Sequence, residues 1–154
     1  MRPTIAPLLL LFCFALSPTC RAFEVIDCGS KVGTFTSVTL SGCDMTKQAC
    51  DLIRDTNATI EIDFTVDKEI TNMYAIVHGV IMDVPIGFPL PNANACEYAH
   101  SGITCPVAKG TACHYTNTLP VLKSYPKLSL IVRWELRDEN NQDIVCLLIP
   151  ARIK

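Results

Sequence analysis

A strict alternation of apolar and polar side chains is the feature that most constrains the fold of this chain of 154 residues. Between Leu128 and Arg137 an apolar side chain occupies every second position, and four of the five intervening residues are polar. The same period runs from Ala58 to Val66. Because successive side chains of a strand point to opposite faces of a sheet, both segments are predicted to be strands with one buried and one solvated face.

Three further segments have strand character. Residues 34–40 are short and rich in β-branched side chains, residues 73–82 are nearly all apolar, and residues 144–153 follow a hairpin turn at 138–141. The only helical expectation is one turn around residues 48–53. About six strands at this spacing, with no alternation of strands and helices, predict an all-β fold, an antiparallel β-sandwich of a single domain.

Two apolar segments carry prolines. Residues 84–91 hold Pro85, Pro89 and Pro91, and residues 119–122 hold Pro120. Since proline lacks the amide hydrogen that a sheet needs, residues 84–91 are predicted to be a loop. Such an apolar loop either caps a solid core or lines the mouth of an apolar cavity, and the mouth is our working hypothesis. The 49% of hydrophobic residues is compatible with both.

The first 22 residues have the layout of a cleaved secretory signal peptide. Arg2 precedes an apolar run over residues 5–16, and small residues surround the expected cleavage site after Ala22. The run is shorter than the roughly 20 apolar residues that a membrane helix needs. We therefore expect residues 23–154 to form one secreted domain. Asn57-Ala58-Thr59 matches the N-glycosylation sequon, so Asn57 is a candidate glycosylation site.

The charge balance is mildly acidic. Without Arg2 and Arg21 the chain has 11 basic and 15 acidic residues. Binding to phosphates requires clustered Lys and Arg, which the sequence lacks, so nucleic acid is not an expected partner.

Seven cysteines remain in the predicted mature chain, which in an oxidising compartment indicates three disulfides and one odd thiol. In order they are Cys28, Cys43, Cys50, Cys96, Cys105, Cys113 and Cys146. Each choice of the odd thiol leaves about 15 pairings. Proximity in the sequence favours pairing of Cys43 with Cys50 and of Cys96 with Cys105. A bridge between the two terminal cysteines would join the first strand to the last.

Catalytic signatures are absent from the sequence. It contains no G-x-S-x-G, H-E-x-x-H, C-x-x-C or glycine-rich phosphate loop. His78 falls inside a predicted strand, and Cys113 and His114 are neighbours that an extended chain would point to opposite faces. The spacing of Cys96, Cys105 and Cys113 matches no compact zinc site. We expect no enzymatic activity, no metal and no cofactor.

Several motifs, in the same order along the chain, resemble the Niemann-Pick type C sterol-carrier family, especially its arthropod members. Its lipid-recognition domain, the ML domain, also occurs in dust-mite group-two allergens and endotoxin co-receptors. The motifs are Asp27-Cys28-Gly29-Ser30, Val77-His78-Gly79, residues 84–91, residues 101–106, Leu119-Pro120-Val121, Tyr125-Pro126 and Trp134-Glu135-Leu136.

The resemblance implies an immunoglobulin-like β-sandwich whose two sheets splay to hold a lipid tail in an internal hydrophobic cavity. It also implies a disulfide pairing that leaves Cys113 free. The implied pairs are Cys28–Cys146, Cys43–Cys50 and Cys96–Cys105.

The resemblance further implies a set of ligand-binding residues. Phe88, Val121 and Tyr125 match the family's residues at the cavity entrance, and Ile86 and Leu119 lie beside them. Deeper positions of the cavity correspond to Leu40, Ile60, Val77, Ile81, Leu130, Val132, Trp134, Leu147 and Ile149.

The expected function is that of a secreted, monomeric carrier for one hydrophobic small molecule, such as a fatty acid, a sterol or a lipid-like semiochemical. The polar head of the ligand is expected near the entrance, and a membrane or receptor would serve as the transfer partner. The lysosomal lumen is the alternative compartment. The alternative function is an innate-immune lipid co-receptor that recognises microbial lipids.

Overall fold

The computed structural model describes residues 23–44 and 46–154, so the predicted signal peptide lies outside the described residues. Nine strands form in the described part of the chain. They are β1 (Ile26–Asp27), β2 (Gly33–Leu40), β3 (Cys50–Leu52), β4 (Thr56–Val66), β5 (Met73–Ile81), β6 (Val84–Phe88), β7 (Ala112–Val121), β8 (Ser129–Asp138) and β9 (Asp143–Ile153).

The strands form two sheets packed face to face. The larger sheet has the order β1-β9-β8-β5-β6, with β3 added alongside β9, and the smaller sheet has the order β2-β4-β7. All pairs are antiparallel except β3 with β9. The chain therefore has the predicted immunoglobulin-like β-sandwich architecture.

The alternation of side chains decides which face of each strand is buried. On β4, Ile60, Ile62 and Phe64 are at most 1% exposed, whereas Glu61 between them is exposed. On β8, Leu130 and Trp134 point into the same core. Burying this apolar area between two sheets is the main source of stability in such a fold.

The expectation that residues 84–91 form a loop is wrong for residues 84–88. These residues form β6, whose Pro85 lies opposite Val80 of β5. β6 is the edge of its sheet, and an edge strand needs hydrogen bonds on only one side, so a proline is tolerated there. Pro120 lies in β7, an edge strand of the smaller sheet, opposite Asn57.

Two other segments differ from expectation. Residues 50–52 form β3, so the helical turn expected around residues 48–53 is wrong; pairing with Ala151 to Ile153 of β9 fixes the extended conformation. The strand β7 begins at Ala112, although the sequence there shows little apolar alternation. Tyr115 of this strand is fully buried, and so is its polar residue Asn117, which is hydrogen-bonded.

Three disulfides tie the sandwich together, in the pairing that the resemblance implies. Cys28–Cys146 joins the chain next to β1 to β9, and the other pairs are Cys43–Cys50 and Cys96–Cys105. Cys113 is free.

The two sheets approach most closely at the end away from β6. A Cβ placed on Gly33 of β2 would lie 2.8 Å from side-chain and backbone atoms of Ile144 of β9, so only glycine allows this contact. This end of the sandwich is therefore closed. Among the described residues, no helix has the length and apolarity needed to cross a membrane.

Candidate ligand-binding site

A small apolar cavity of about 40 Å³ lies between the sheets at the end opposite Gly33. Both sheets and the segment between β7 and β8 contribute to its wall. The lining residues are Leu52, Val77, His78, Phe88, Leu119, Val121, Tyr125, Leu130, Val132 and Ile153.

A second apolar pocket of about 230 Å³ adjoins the cavity on its outer side. It is lined by Ile81, Ile86, Gly87, Phe88, Tyr125, Pro126, Leu128, Leu130 and Ile153. The two pockets share Phe88 and Tyr125, whose rings meet edge to face with their centroids 5.3 Å apart. This aromatic pair therefore lies where the two pockets meet, together with Leu130 and Ile153, and we call the first pocket the inner cavity and the second the outer groove. We call the region around the aromatic pair the mouth.

Phe88 is held in the mouth by the pairing of β6 with β5, which places it opposite Val77. Its ring lies directly over Gly79, where an added Cβ would come within 2.6 Å of the ring and 2.9 Å of Leu130. The absence of a side chain at Gly79 thus provides the space that the Phe88 ring fills.

Tyr125 is held by a different set of contacts, because it lies between strands rather than in one. Its amide donates a hydrogen bond to the carbonyl of Leu122. Nη1 of Arg54 donates to the carbonyl oxygens of Lys123 and Tyr125, at 3.2 and 3.3 Å. Arg54 itself follows β3, and its amide donates to the carbonyl of Lys154. One guanidinium thus connects the Tyr125 side of the mouth to β3 and the chain terminus.

The structure brings nine of the fourteen predicted ligand-binding residues together around the two pockets. They are Val77, Ile81, Ile86, Phe88, Leu119, Val121, Tyr125, Leu130 and Val132. The other five lie in the packed interior away from these pockets: Leu40, Ile60, Trp134, Leu147 and Ile149. Contact of all fourteen with a ligand remains a prediction.

Sequence reasoning missed several lining residues, above all Leu52, Leu128 and Ile153. Leu128 and Ile153 belong to the inward-facing positions of the alternating pattern, so the signal for them was present. Leu52 gave none, because its three-residue strand β3 is too short to show a period.

A polar cluster lies deeper between the sheets, where Tyr115 of β7 packs 6.3 Å from Trp134 of β8. Nδ2 of Asn117 donates to the hydroxyl of Tyr115 and to the carbonyl of Asn92. Burial raises the pKa of Tyr115 far above its usual range, so the phenol stays neutral. Nε1 of Trp134 is buried without a hydrogen-bond partner. Tyr115 and Asn117 thus form a neutral polar centre in this part of the interior.

The volume of the inner cavity limits what it holds in this conformation. Drug-sized ligands occupy pockets of roughly 300–1,000 Å³, whereas a cavity of a few tens of Å³ holds about one water molecule. A ligand of that size would therefore require the two sheets to lie further apart at this end than they do here.

The other candidates from the sequence do not assemble a reaction centre. Nδ1 of His114 lies 2.6 Å from Oδ1 of Asp63 on the outer face of the smaller sheet. Burial raises the pKa of the neighbouring Cys113, which disfavours its thiolate. Asn57 is exposed, as an acceptor of a glycan must be.

One cluster of potential metal ligands, Glu135, Asp143 and Cys146, is already committed to other contacts. Cys146 is in a disulfide, and Arg137 donates to both carboxylates, at 2.9 Å to Glu135 and 3.1 Å to Asp143. The cluster is an ion-pair network rather than a metal site.

Comparisons with known proteins agree over nearly the whole chain. A family model described as the ML domain matches residues 22–153. The NPC intracellular cholesterol transporter 2 homolog a of Drosophila melanogaster is 46% identical over 142 residues, 92% of this chain and 95% of that protein. The Ecdysteroid-regulated 16 kDa protein of Manduca sexta is 47% identical over 127 residues, 82% of this chain and 86% of that protein.

Among solved structures, that of a Niemann-Pick type C2 protein from Japanese carpenter ant superposes with a TM-score of 0.83 at 38% identity. The superposition covers 86% of this chain and 100% of the ant protein. The matched family range includes all the strands described above.

Proposed function

The chain belongs to the ML-domain family, and on this premise we propose that it is a carrier without enzymatic activity that binds one hydrophobic small molecule between its two sheets. The observation that carries the proposal is the apolar cavity closed by Phe88 and Tyr125. The ligand classes are a fatty acid, a sterol or a lipid-like semiochemical. The name of the Drosophila melanogaster relative, a cholesterol transporter, supports a sterol or another lipid of similar shape.

Binding is driven by desolvation of the ligand. Each methylene that leaves water for the cavity contributes roughly 0.8 kcal/mol. Separating the two sheets costs free energy, because side chains such as Val77 and Val121 lose contacts across the interior. An elongated apolar ligand replaces those contacts with its own.

The ligand's polar head stays at the mouth in this proposal. The walls of the inner cavity are aliphatic and aromatic, and an unpaired polar group placed among them would lose its hydrogen bonds to water. The head therefore lies beside Phe88 and Tyr125, where solvent and backbone carbonyls are within reach. The tail points towards Trp134, deeper between the sheets.

The protein acts outside the cytosol in this proposal. The leader-like first 22 residues and the three disulfides both fit an oxidising compartment, which is the extracellular fluid or the lysosomal lumen. We propose that the carrier works as a monomer and delivers its ligand to a membrane or a receptor, and that Asn57 carries a glycan.

Titration of the delipidated protein tests the carrier function. Trp134 is the only tryptophan of the chain and lies on the path of the tail, so its fluorescence should change in a saturable way with oleate or cholesterol. Mass spectrometry of an organic extract of the freshly purified protein should find intact lipid at up to one molecule per chain. A protein that neither copurifies with lipid nor responds to either ligand would contradict the proposal.

A further inference from the structure

Arg54 differs from the other arginines of the described residues in having no acidic partner. Arg133 and Arg137 pair with Glu135, and Arg152 pairs with Asp51. Arg54 forms no ion pair with a carboxylate anywhere in residues 23–44 and 46–154. Its position is intermediate in burial, and keeping an unpaired charge partly out of water costs free energy. The charge of Arg54 therefore has no counter-ion among the described residues, although Nη1 makes structural hydrogen bonds.

The hydrogen bonds of Arg54 leave one edge of its guanidinium unused. Nη1 donates to the carbonyls of Lys123 and Tyr125, whereas Nε is buried and has no partner. Nη2 also forms no hydrogen bond with the described residues. The Nε–Nη2 edge is a fork of two parallel N–H donors, which matches the two oxygens of a carboxylate, a sulfate or a phosphate.

This unused edge belongs to a residue at the mouth. Arg54 bonds to the carbonyl of Tyr125, whose ring lines both pockets, and it follows the cavity-lining Leu52 by two residues. Arg54 lines neither pocket in the closed form and its Nε is buried, so an anionic head group would meet this cation when the Tyr125 segment moves to admit a ligand. Any movement of the Tyr125 segment that admits a ligand also changes the surroundings of the guanidinium.

We propose that the Nε–Nη2 edge of Arg54 binds the anionic head group of a ligand whose apolar tail occupies the cavity. The inference rests on the carrier function proposed above and narrows its ligand to an amphiphile with one negatively charged end. A long-chain carboxylate and a sterol sulfate present the same chemistry to the guanidinium. Neutral lipids of the same shape bind through the tail alone.

Matched pairs of ligands test this proposal. Oleate is compared with oleyl alcohol, and cholesterol sulfate with cholesterol, each by the fluorescence of Trp134 in the delipidated full-length mature protein. In the wild type we expect the anionic member of at least one pair to bind about tenfold more tightly than the neutral member, as for a hydrogen bond to a charged group. A preference for oleate would identify the ligand as a long-chain carboxylate, and a preference for cholesterol sulfate would identify it as a sterol sulfate.

The variant Arg54→Gln should bring that ratio close to one. Because it also removes the hydrogen bonds to the carbonyls of Lys123 and Tyr125, the ratio of the two affinities, rather than either affinity alone, is the readout. Arg54→Lys should give an intermediate ratio, because an ammonium keeps the charge and loses the fork. Lys109→Gln is the matched control, since Lys109 is an exposed cation next to Gly110, which bonds to Val66 at the closed end.

A ratio in Arg54→Gln equal to that of the wild type would overturn the proposal while leaving the carrier function intact. Failure of both members of each pair to bind the folded wild type would contradict the carrier function and this inference together. Near-ultraviolet circular dichroism reports folding of each variant, and Arg54→Met replaces Arg54→Gln if the latter does not fold.

Discussion

Phe88 and Tyr125 meet edge to face across the mouth of the cavity, with ring planes at 88° to each other. Phe88 belongs to the edge strand β6, and Tyr125 to the segment between β7 and β8. Aromatic pairs of this geometry contribute about 0.5–1.5 kcal/mol beyond the area that they bury. In the carrier proposed above, breaking a contact of this size costs little compared with the roughly 0.8 kcal/mol gained for each methylene of a ligand that is buried.

Truncation of the mouth should weaken ligand binding. Phe88→Ala removes a ring that contacts both pockets, and Val121→Ala removes part of the opposite wall. Loss of buried apolar area on this scale should reduce the affinity for a fluorescent fatty acid about tenfold or more for Phe88→Ala, and less for Val121→Ala. Fluorescence titration gives the affinity, and stopped-flow mixing should show faster dissociation from Phe88→Ala.

Val84→Ala is the control for these variants, because Val84 lies on the same edge strand as Phe88, is 59% exposed and lines neither pocket. Its affinity should equal that of the wild type. Unchanged affinity for both Phe88→Ala and Val121→Ala would show that the mouth has been placed at the wrong end of the sandwich.

Gly79→Ala should displace the Phe88 ring without altering any residue of the mouth itself. The new methyl group would lie 2.6 Å from the ring and 2.9 Å from Leu130, so both side chains must move. Overpacking of this kind costs about 1–3 kcal/mol of folding free energy, which urea denaturation measures. Ligand affinity should change as well. Gly87→Ala is the control for the stability measurement alone, since nothing lies within 4 Å of its added methyl group but the residue lines the outer pocket.

The sandwich itself could be predicted from the sequence because its central strands have one solvent-exposed face and one buried face. β4 and β8 show this alternation, and their apolar positions, such as Ile62 and Leu136, are the ones that the structure buries. The prediction depends only on a period of two, which is a local property of each strand.

The edges of the sheets were harder to predict, because a proline signals a loop only when the strand needs hydrogen bonds on both sides. Pro85 and Pro120 lie in edge strands, and whether a strand is at an edge depends on its neighbours in space. The parallel pairing of β3 with β9 is likewise set by contacts a hundred residues apart in sequence. It could not be read from residues 50–52 alone.

The candidate site was predictable to a similar extent. The resemblance and the alternation together place Val77, Phe88 and Leu130 at one site, where the structure also brings them together. Neither the resemblance nor the alternation pointed to Arg54. Its position beside the mouth depends on hydrogen bonds to backbone carbonyls, which leave no pattern in the sequence. The size of the cavity was not predictable either, since small shifts between two packed sheets decide it.

Removal of the Cys28–Cys146 disulfide should destabilise the protein more than removal of Cys43–Cys50. The two bridges close loops with sequence separations of 118 and 7 residues. In the chain-entropy model these correspond to about 5 and about 2 kcal/mol. Thermal unfolding of the two double Cys→Ser variants measures the order. A larger loss of stability on removal of the short bridge would mean that local contacts, rather than chain entropy, determine the effect.

Glu139 should make the stability of the protein depend on pH in the acidic range. Burial opposes ionisation of its carboxyl, but the amides of Glu139 itself and Thr71, the ammonium of Lys68 and the amide of Asn72 outweigh that effect. Together they lower its pKa from 4.5 to about 2. A carboxyl whose pKa is lower in the folded state stabilises the fold above its unfolded pKa, and this stabilisation is lost as the pH falls from about 4.5 towards 2.

Glu139→Gln removes this titration and should therefore lower the melting temperature at pH 7, while the difference from the wild type should shrink as the pH approaches 2. The nearby Glu69 is exposed and provides the control for removal of a surface carboxylate, because Glu69→Gln should melt like the wild type at pH 7. A difference between Glu139→Gln and the wild type that stays constant from pH 7 to pH 2 would mean that Glu139 acts through packing rather than charge. In that case the contacts of Thr71 and Lys68 with the turn after β8 would persist without the ionised carboxylate.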